Sequence, residues 1–133
     1  MILVDTNVLI DVTTENATWA DWSADQLARA IDSQGIAINQ IIYAEFSLAY
    51  LHERDADRAL ATLSTARLDV PWPAAFLAGK AFALYRSRGG LRTAPLPDFF
   101  IGAHAAVSGL TLLTRDATRY HQYFHKLKLI APK

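Results

Sequence analysis

Four carboxylates are spaced so that one fold can gather them: Asp5, Glu45, Asp98 and Asp116. Asp5 closes the apolar run Ile2-Leu3-Val4, and Asp116 follows Leu112-Leu113-Thr114-Arg115. In an open parallel sheet ligands collect beyond the carboxyl ends of the strands, so both acids are expected on one edge. Asp98 follows Pro95-Leu96-Pro97 and opens a helical stretch. Helical spacing sets Glu45 beside Ile41, Ile42, Leu48 and Ala49, which points its carboxylate toward the interior. A buried carboxylate neutralises, pairs or coordinates a metal, and four packed together repel unless cations are present. With only oxygen ligands on offer, the fitting cations are Mg2+ and Mn2+. Such a site suits metal-assisted phosphodiester hydrolysis, in which water attacks directly and no covalent intermediate forms.

Blander accounts compete with this one. Asp5, Asp98 and Asp116 each precede a stretch that can start a helix, so each is equally readable as an N-cap. Glu45 is as well explained by a salt bridge to a buried arginine, or by a place at the rim of the apolar stripe. The case for chemistry rests on the combination.

The elements that must position these groups are legible in outline. At 133 residues the chain fits one domain, 1–133, able to bury a core without staples. The absence of cysteine excludes disulfides, thiolate metal sites and cysteine nucleophiles. Short apolar runs predict strands at Ile2–Val4, Ile36–Ile38, Leu68–Val70 and Leu110–Leu113, with a fifth at Leu127–Ile130. Helical spacing covers about 19–33, 40–52, 55–66, 73–88, 98–108 and 117–125. Strands alternating with helices predict an α/β sandwich around a mostly parallel sheet of four or five strands. No apolar run is long enough for a membrane span, and the start lacks a basic leader, so a cytoplasmic protein without a signal peptide is expected. Net charge is zero, but residues 1–66 carry three basic groups against ten acids and residues 67–133 carry ten against three. That asymmetry predicts a basic surface able to meet an anion.

The chain resembles the PIN-domain ribonucleases, and among them the VapC-type toxins of bacterial toxin–antitoxin pairs. The resemblance spans the whole chain. It rests on the opening Ile2-Leu3-Val4-Asp5-Thr6-Asn7-Val8-Leu9-Ile10-Asp11, on Glu45 after an apolar helical stretch, on Pro97-Asp98-Phe99-Phe100-Ile101-Gly102-Ala103-His104-Ala105, and on Leu112-Leu113-Thr114-Arg115-Asp116. It implies a PIN-like α/β/α sandwich, Mg2+ or Mn2+ dependence, endonucleolytic cleavage of RNA, a cognate VapB-type antitoxin and homodimerisation. Carried over by position, it makes Asp5, Glu45, Asp98 and Asp116 the acidic quartet, with Asn7 and Thr114 as polar support. The family pattern places a further acid three residues beyond the last, where this chain has Arg119 followed by Tyr120. One tightly held ion, with a second recruited by substrate, is the resulting expectation.

Substrate contacts are expected from Arg86, Arg88 and Arg92 in Arg86-Ser87-Arg88-Gly89-Gly90-Leu91-Arg92-Thr93, and above all from Arg115 beside Asp116. A solvated loop explains any single one of the loop arginines equally well. His121 and His125 have helical zinc spacing but no accompanying catalytic Glu, and His104 lies on an apolar helix; all three read as packing or surface groups. Trp19, Trp22 and Trp72 could stack bases, but helix packing or a partner interface is the favoured use. Helices at 19–33 and 40–66 offer apolar faces for a second protomer or an antitoxin helix. A receiver-type phosphoacceptor is disfavoured by the lone Asp5, the lack of an acid after Ile36–Ile38, and Arg115 in place of Lys. A haloacid-type phosphatase would need Asp where Asn7 stands. A PIN-fold module that binds RNA without cutting it is the remaining alternative; four mutually repelling acids have no use in it.

Overall fold

The computed structural model describes residues 1–92 and 96–133, so Thr93 and Pro95 of the motifs above lie outside the described residues. Five strands form one sheet in the order β3-β2-β1-β4-β5, every neighbouring pair parallel. They are β1 (Ile2–Val4), β2 (Ile36–Ile38), β3 (Ala66–Arg67), β4 (Thr111–Leu113) and β5 (Leu129–Ile130). Helices flank the sheet as an α/β/α sandwich: α1 (Thr6–Thr13), α2 (Ala20–Ser33), α3 (Gln40–Ser47), α4 (Glu53–Ala61), α5 (Trp72–Ser87), α6 (Pro97–Ser108) and α7 (Thr118–Tyr123). The three central strands are fully buried in β1 and β2 and nearly so in β4, as expected when both faces are covered. No helix among the described residues is long and apolar enough to cross a membrane.

Strand order reverses between β1 and β4, and a crevice opens there at the carboxyl edge. Register makes Val4 the partner of Leu113, so Asp5 and Thr114 leave the sheet side by side. The amide of Asp5 donates to the Leu113 carbonyl at 2.8 Å, which extends the ladder by one bond.

Local chemistry sets the helices that enter this crevice. Asp5 is the N-cap of α1, its side chain accepting from the Thr6 amide. Asn39 caps α3 by accepting from the Ile42 amide at 3.0 Å, and its amide nitrogen donates to Nδ1 of His104 at 2.9 Å. His104 is buried, and desolvation holds its pKa below the ordinary value, so Nδ1 is free to accept. Pro97 starts α6 and Gly109, at φ 66°, ends it in the left-handed region. Gly102, inside α6, faces α7: a Cβ there would lie 2.5 Å from Phe124 Cε2 and 3.0 Å from Tyr120 Cδ1.

Several sequence expectations need correction. Helix α1 was absent from the predicted segments. The strand expected at Leu68–Val70 lies at Ala66–Arg67, with only the Leu68 amide still bonded to Ile38 across the edge. The helix expected over 40–52 stops at Ser47, and α4 ends at Ala61 rather than 66. His125 falls beyond α7, so it does not share a helix with His121. Because Asn39 serves α3 and His104 together, Asn39→Ala should cost about 1–2 kcal/mol, the scale of a lost cap. Urea denaturation of the variant measures it, and a change within error would mean that the cap carries no weight.

Candidate active site

Asp5, Glu45, Asp98 and Asp116 line one hollow of about 310 Å³, together with Thr6, Asn7 and Arg115; Ile10 and Leu48 form its apolar lip. Each acid arrives differently. Asp5 comes from the end of β1 and is buried, with 5% of its surface exposed. Glu45 comes from the last turn of α3, half-buried. Asp98 occupies the first turn of α6 but does not cap it, since Leu96 is the N-cap and no side chain bonds there. Asp116 is exposed, just ahead of α7, and accepts from the Thr118 amide at 3.3 Å. The capping account therefore holds for Asp5, is met at Asp116 only by that longer contact, and fails for Asp98.

Glu45 needs a correction of surroundings. Leu48 and Ala49, expected to flank it inside, are exposed, Leu48 by 88%. The buried positions of α3 are Ile42 and Phe46, which leaves Glu45 at the edge of the stripe, facing the hollow. Among the described residues no arginine clamps it. Its Oε1 accepts from the Thr6 hydroxyl at 2.8 Å.

Asp5 is the best-held group. Its Oδ2 accepts from Thr114 Oγ1 at 2.8 Å and from the Tyr120 hydroxyl at 2.9 Å. Burial raises its pKa from 3.8 to about 6 against the lowering effect of those bonds, with Asp98 adding a smaller rise. Burial likewise raises Glu45 and Asp98. Tyr120 is pushed well above 10 by burial and then by the Asp5 and Asp98 charges, so it remains a proton donor to the carboxylate. Asn7 bridges two elements: Nδ2 donates to Thr114 Oγ1 at 3.4 Å and Oδ1 accepts from the Arg115 amide at 3.1 Å.

Of the basic residues singled out in the sequence, Arg115 reaches the hollow. Its guanidinium is held by Asp11, Nε to Oδ2 at 2.8 Å and a terminal nitrogen to Oδ1 at 3.1 Å, and stands 5.6 Å over the Trp19 ring. Arg86, Arg88 and Arg92 are exposed and lie outside the lining; Arg86 donates to the Arg92 carbonyl, and Arg88 stands 5.5 Å from the Tyr123 ring.

Sequence reasoning passed over three residues that work here. Thr6 orients Glu45, Tyr120 orients Asp5, and Asp11, 1% exposed and also bonded to Ser23 Oγ at 2.9 Å, fixes Arg115. Acids at 5 and 11 bracket two turns of α1, a signal for Asp11. Tyr120, four residues beyond Asp116, carried no comparable mark.

Among the described residues no three acidic or histidine side chains already stand in ligating geometry for an ion. The donor set nevertheless fits a hard divalent cation. All its members are oxygens, burial raises the pKa of Asp5, Glu45 and Asp98 as expected of carboxylates short of a counter-charge, and the hollow has room for the waters that Mg2+ retains when bound by one or two carboxylates.

A parallel α/β/α sheet with an oxygen-lined acidic crevice at its point of strand reversal defines the class. Residues 2–124 match the family model described as PIN domain, and the chain belongs to that family. Among solved structures it is similar to a chain of VapBC2 from Rickettsia felis bound to a DNA fragment from their promoter, at 20% identity and a TM-score of 0.74 over 98% of both chains. It is also similar to a chain of VapBC-1 from nontypeable Haemophilus influenzae, at 20% identity and a TM-score of 0.72 over 98% of both. A toxin–antitoxin complex from Klebsiella pneumoniae gives 22% identity and a TM-score of 0.68, over 100% of this chain and 98% of that one. At such identities the likeness is one of fold. No curated protein matches the sequence.

Proposed function

We propose that this PIN domain is a metal-dependent endoribonuclease and the toxin of a toxin–antitoxin pair, acting through Asp5, Glu45, Asp98 and Asp116. The observation that carries the reading is the convergence of four carboxylates from four elements on one hollow, where burial, and to a smaller extent the Asp98 charge, raises the pKa of Asp5. Structural likeness to chains of VapBC complexes supports the toxin assignment and a VapB-type antitoxin partner.

Asp5 and Asp98 would hold the principal Mg2+ or Mn2+, with Glu45 and Asp116 reached directly or through water. When bound, the ion supplies an acidified water and a counter-charge for the phosphate. The chain's own residues do the positioning. Thr114, Tyr120 and the Thr6 amide all donate to Asp5, which fixes its lone pairs and favours its ionised form. Thr6 aims Glu45 across the hollow, where an ionised carboxylate would accept a proton from an attacking water. Arg115, anchored by Asp11, offers a fixed positive edge for the RNA backbone. Arg86, Arg88 and Arg92 would extend that track further along the strand.

Exposed apolar side chains are available for protein partners. Leu48 and Leu51, at 88% and 90% exposure, lie beyond α3, Leu48 at the hollow's edge, and Trp72 and Phe76 stand out on α5. An antitoxin segment and a second copy are the occupants that the toxin reading calls for.

The test uses purified, partner-free protein with total RNA. Cleavage should require Mn2+ or Mg2+, stop with EDTA and disappear in Asp98→Asn. RNA that is bound but stays intact under all conditions would replace the enzyme with a binding module. Expression without a partner should arrest bacterial growth; normal growth with active protein present would remove the toxin assignment.

A further inference from the structure

Two arginines reach the acids, and they are held in different ways. Arg115 is gripped by two nitrogens on a buried carboxylate. Arg119, on the first turn of α7, touches Asp98 through one nitrogen at 3.3 Å, and both partners are 37% exposed. Its guanidinium also stands 5.8 Å from the Tyr85 ring and 5.9 Å from the Phe99 ring, so aromatic faces support it without fixing its hydrogen bonds.

Asp98 has little else. The Tyr120 hydroxyl has one proton to give; it lies 2.9 Å from Asp5 Oδ2 and 3.5 Å from Asp98 Oδ1, so the bond goes to Asp5. Arg119 is thus the one charged group paired with Asp98 among the described residues. Beyond it a second hollow of about 370 Å³ adjoins the first, sharing Asp98 and Asp116 and bordered by Thr118, Arg119 and Gln122. A displaced guanidinium has open space to turn into.

We propose that Arg119 is a built-in counter-ion that a divalent cation must displace from Asp98 before it can use that carboxylate. It rests on the nuclease reading only in taking the acidic hollow as a metal site. A tethered guanidinium and a metal ion compete for the same oxygens, because a carboxylate bound to a dication in the hollow cannot keep a cation 3.3 Å away at no cost. In the metal-free protein the arginine stabilises Asp98; in the loaded protein it repels the ion and lowers affinity. Arg119 is a positioning residue here, since it acts through Asp98.

Calorimetric titration with Mn2+ alone, without RNA, tests this in wild type, Arg119→Gln, Asp98→Asn and the double variant. Arg119→Gln should bind Mn2+ more tightly, by about two- to fivefold, the affinity equivalent of a partly exposed ion pair. In the Asp98→Asn background the same substitution should change affinity by much less, and Arg119→Lys should stay near wild type. Unchanged or weaker Mn2+ binding in Arg119→Gln overturns the exchange, as does an equal gain with Asp98 removed. Binding by none of the four proteins overturns the exchange and the metal site together. Metal binding that follows the expected pattern without any RNA cleavage leaves the counter-ion standing and removes the nuclease.

Discussion

Asp5→Asn should abolish metal-dependent RNA cleavage, by roughly 100-fold or more, while making the metal-free protein more stable. The two effects share one cause. Asp5 keeps its charge at neutral pH although burial raises its pKa from 3.8 to about 6. At about 1.4 kcal/mol per pKa unit, that ionisation costs the folded state about 3 kcal/mol, an upper figure for what the neutral amide recovers. Asn keeps an acceptor for the Thr6 amide, and the hydroxyls of Thr114 and Tyr120 can rotate to accept from its nitrogen.

The pH dependence follows with a definite sign. A carboxyl whose folded pKa is raised holds its proton longer in the native state, so stability is greatest below 3.8 and is lost as pH rises through about 6. Glu45 and Asp98 act in the same direction. His104 acts oppositely, because its lowered pKa favours folding as pH climbs past its unfolded value of about 6.5. The difference between wild type and Asp5→Asn isolates the carboxyl. Thermal midpoints from pH 4 to 8, without metal, should diverge across pH 4–6 and run parallel above it. A variant that melts lower at pH 7 would mean that Asp5 is held as a structural cap whose charge is not penalised.

The second large effect concerns Arg115 and Asp11. Arg115→Met should destabilise the fold by about 2–3 kcal/mol, because it leaves Asp11 buried with the Ser23 hydroxyl as its one remaining side-chain partner among the described residues. That figure sits at or just under the lower bound for a fully buried pair, since Arg115 keeps 30% of its side chain in water. Adding Asp11→Asn to Arg115→Met should recover at least half of the loss, as the amide retains the serine bond and carries no charge. Urea titrations of the four proteins close the cycle. Additive losses would show that the pair stabilises nothing beyond its separate packing.

Much of the sheet could be read from the chain because its central strands are short, continuous and apolar. The bounds Ile2–Val4 and Ile36–Ile38 coincide in sequence and structure, and β4 differs by one residue. Helix α1 escaped because Thr6, Val8, Ile10, Val12 and Thr13 are β-branched and lower helix propensity, which the Asp5 cap and burial of Val8 and Leu9 overcome. β3 has two residues at an edge, half-exposed, too little to leave a pattern. The hollow itself was legible as four acids whose neighbours implied strand ends and helix starts. Its supporting contacts were not. Tyr120 meets Asp5 across 115 residues and Arg115 meets Asp11 across 104, distances that local periodicity does not span. The Glu45 environment was misread because the spacing argument assumed that α3 continues past Ser47, where it ends.

Gly102 lies one helical turn beyond Asp98 on α6 and brings no polar group to the site, yet the proton economy of the site runs through it. A methyl group at that position would press on Phe124 and Tyr120 and lift the phenol from its seat. Asp5 would then lose a donor and take up its proton at a higher pH, with no polar atom having been changed. A mutational survey would file the position under packing, although its cost would first register as a shifted acid limb in the rate profile.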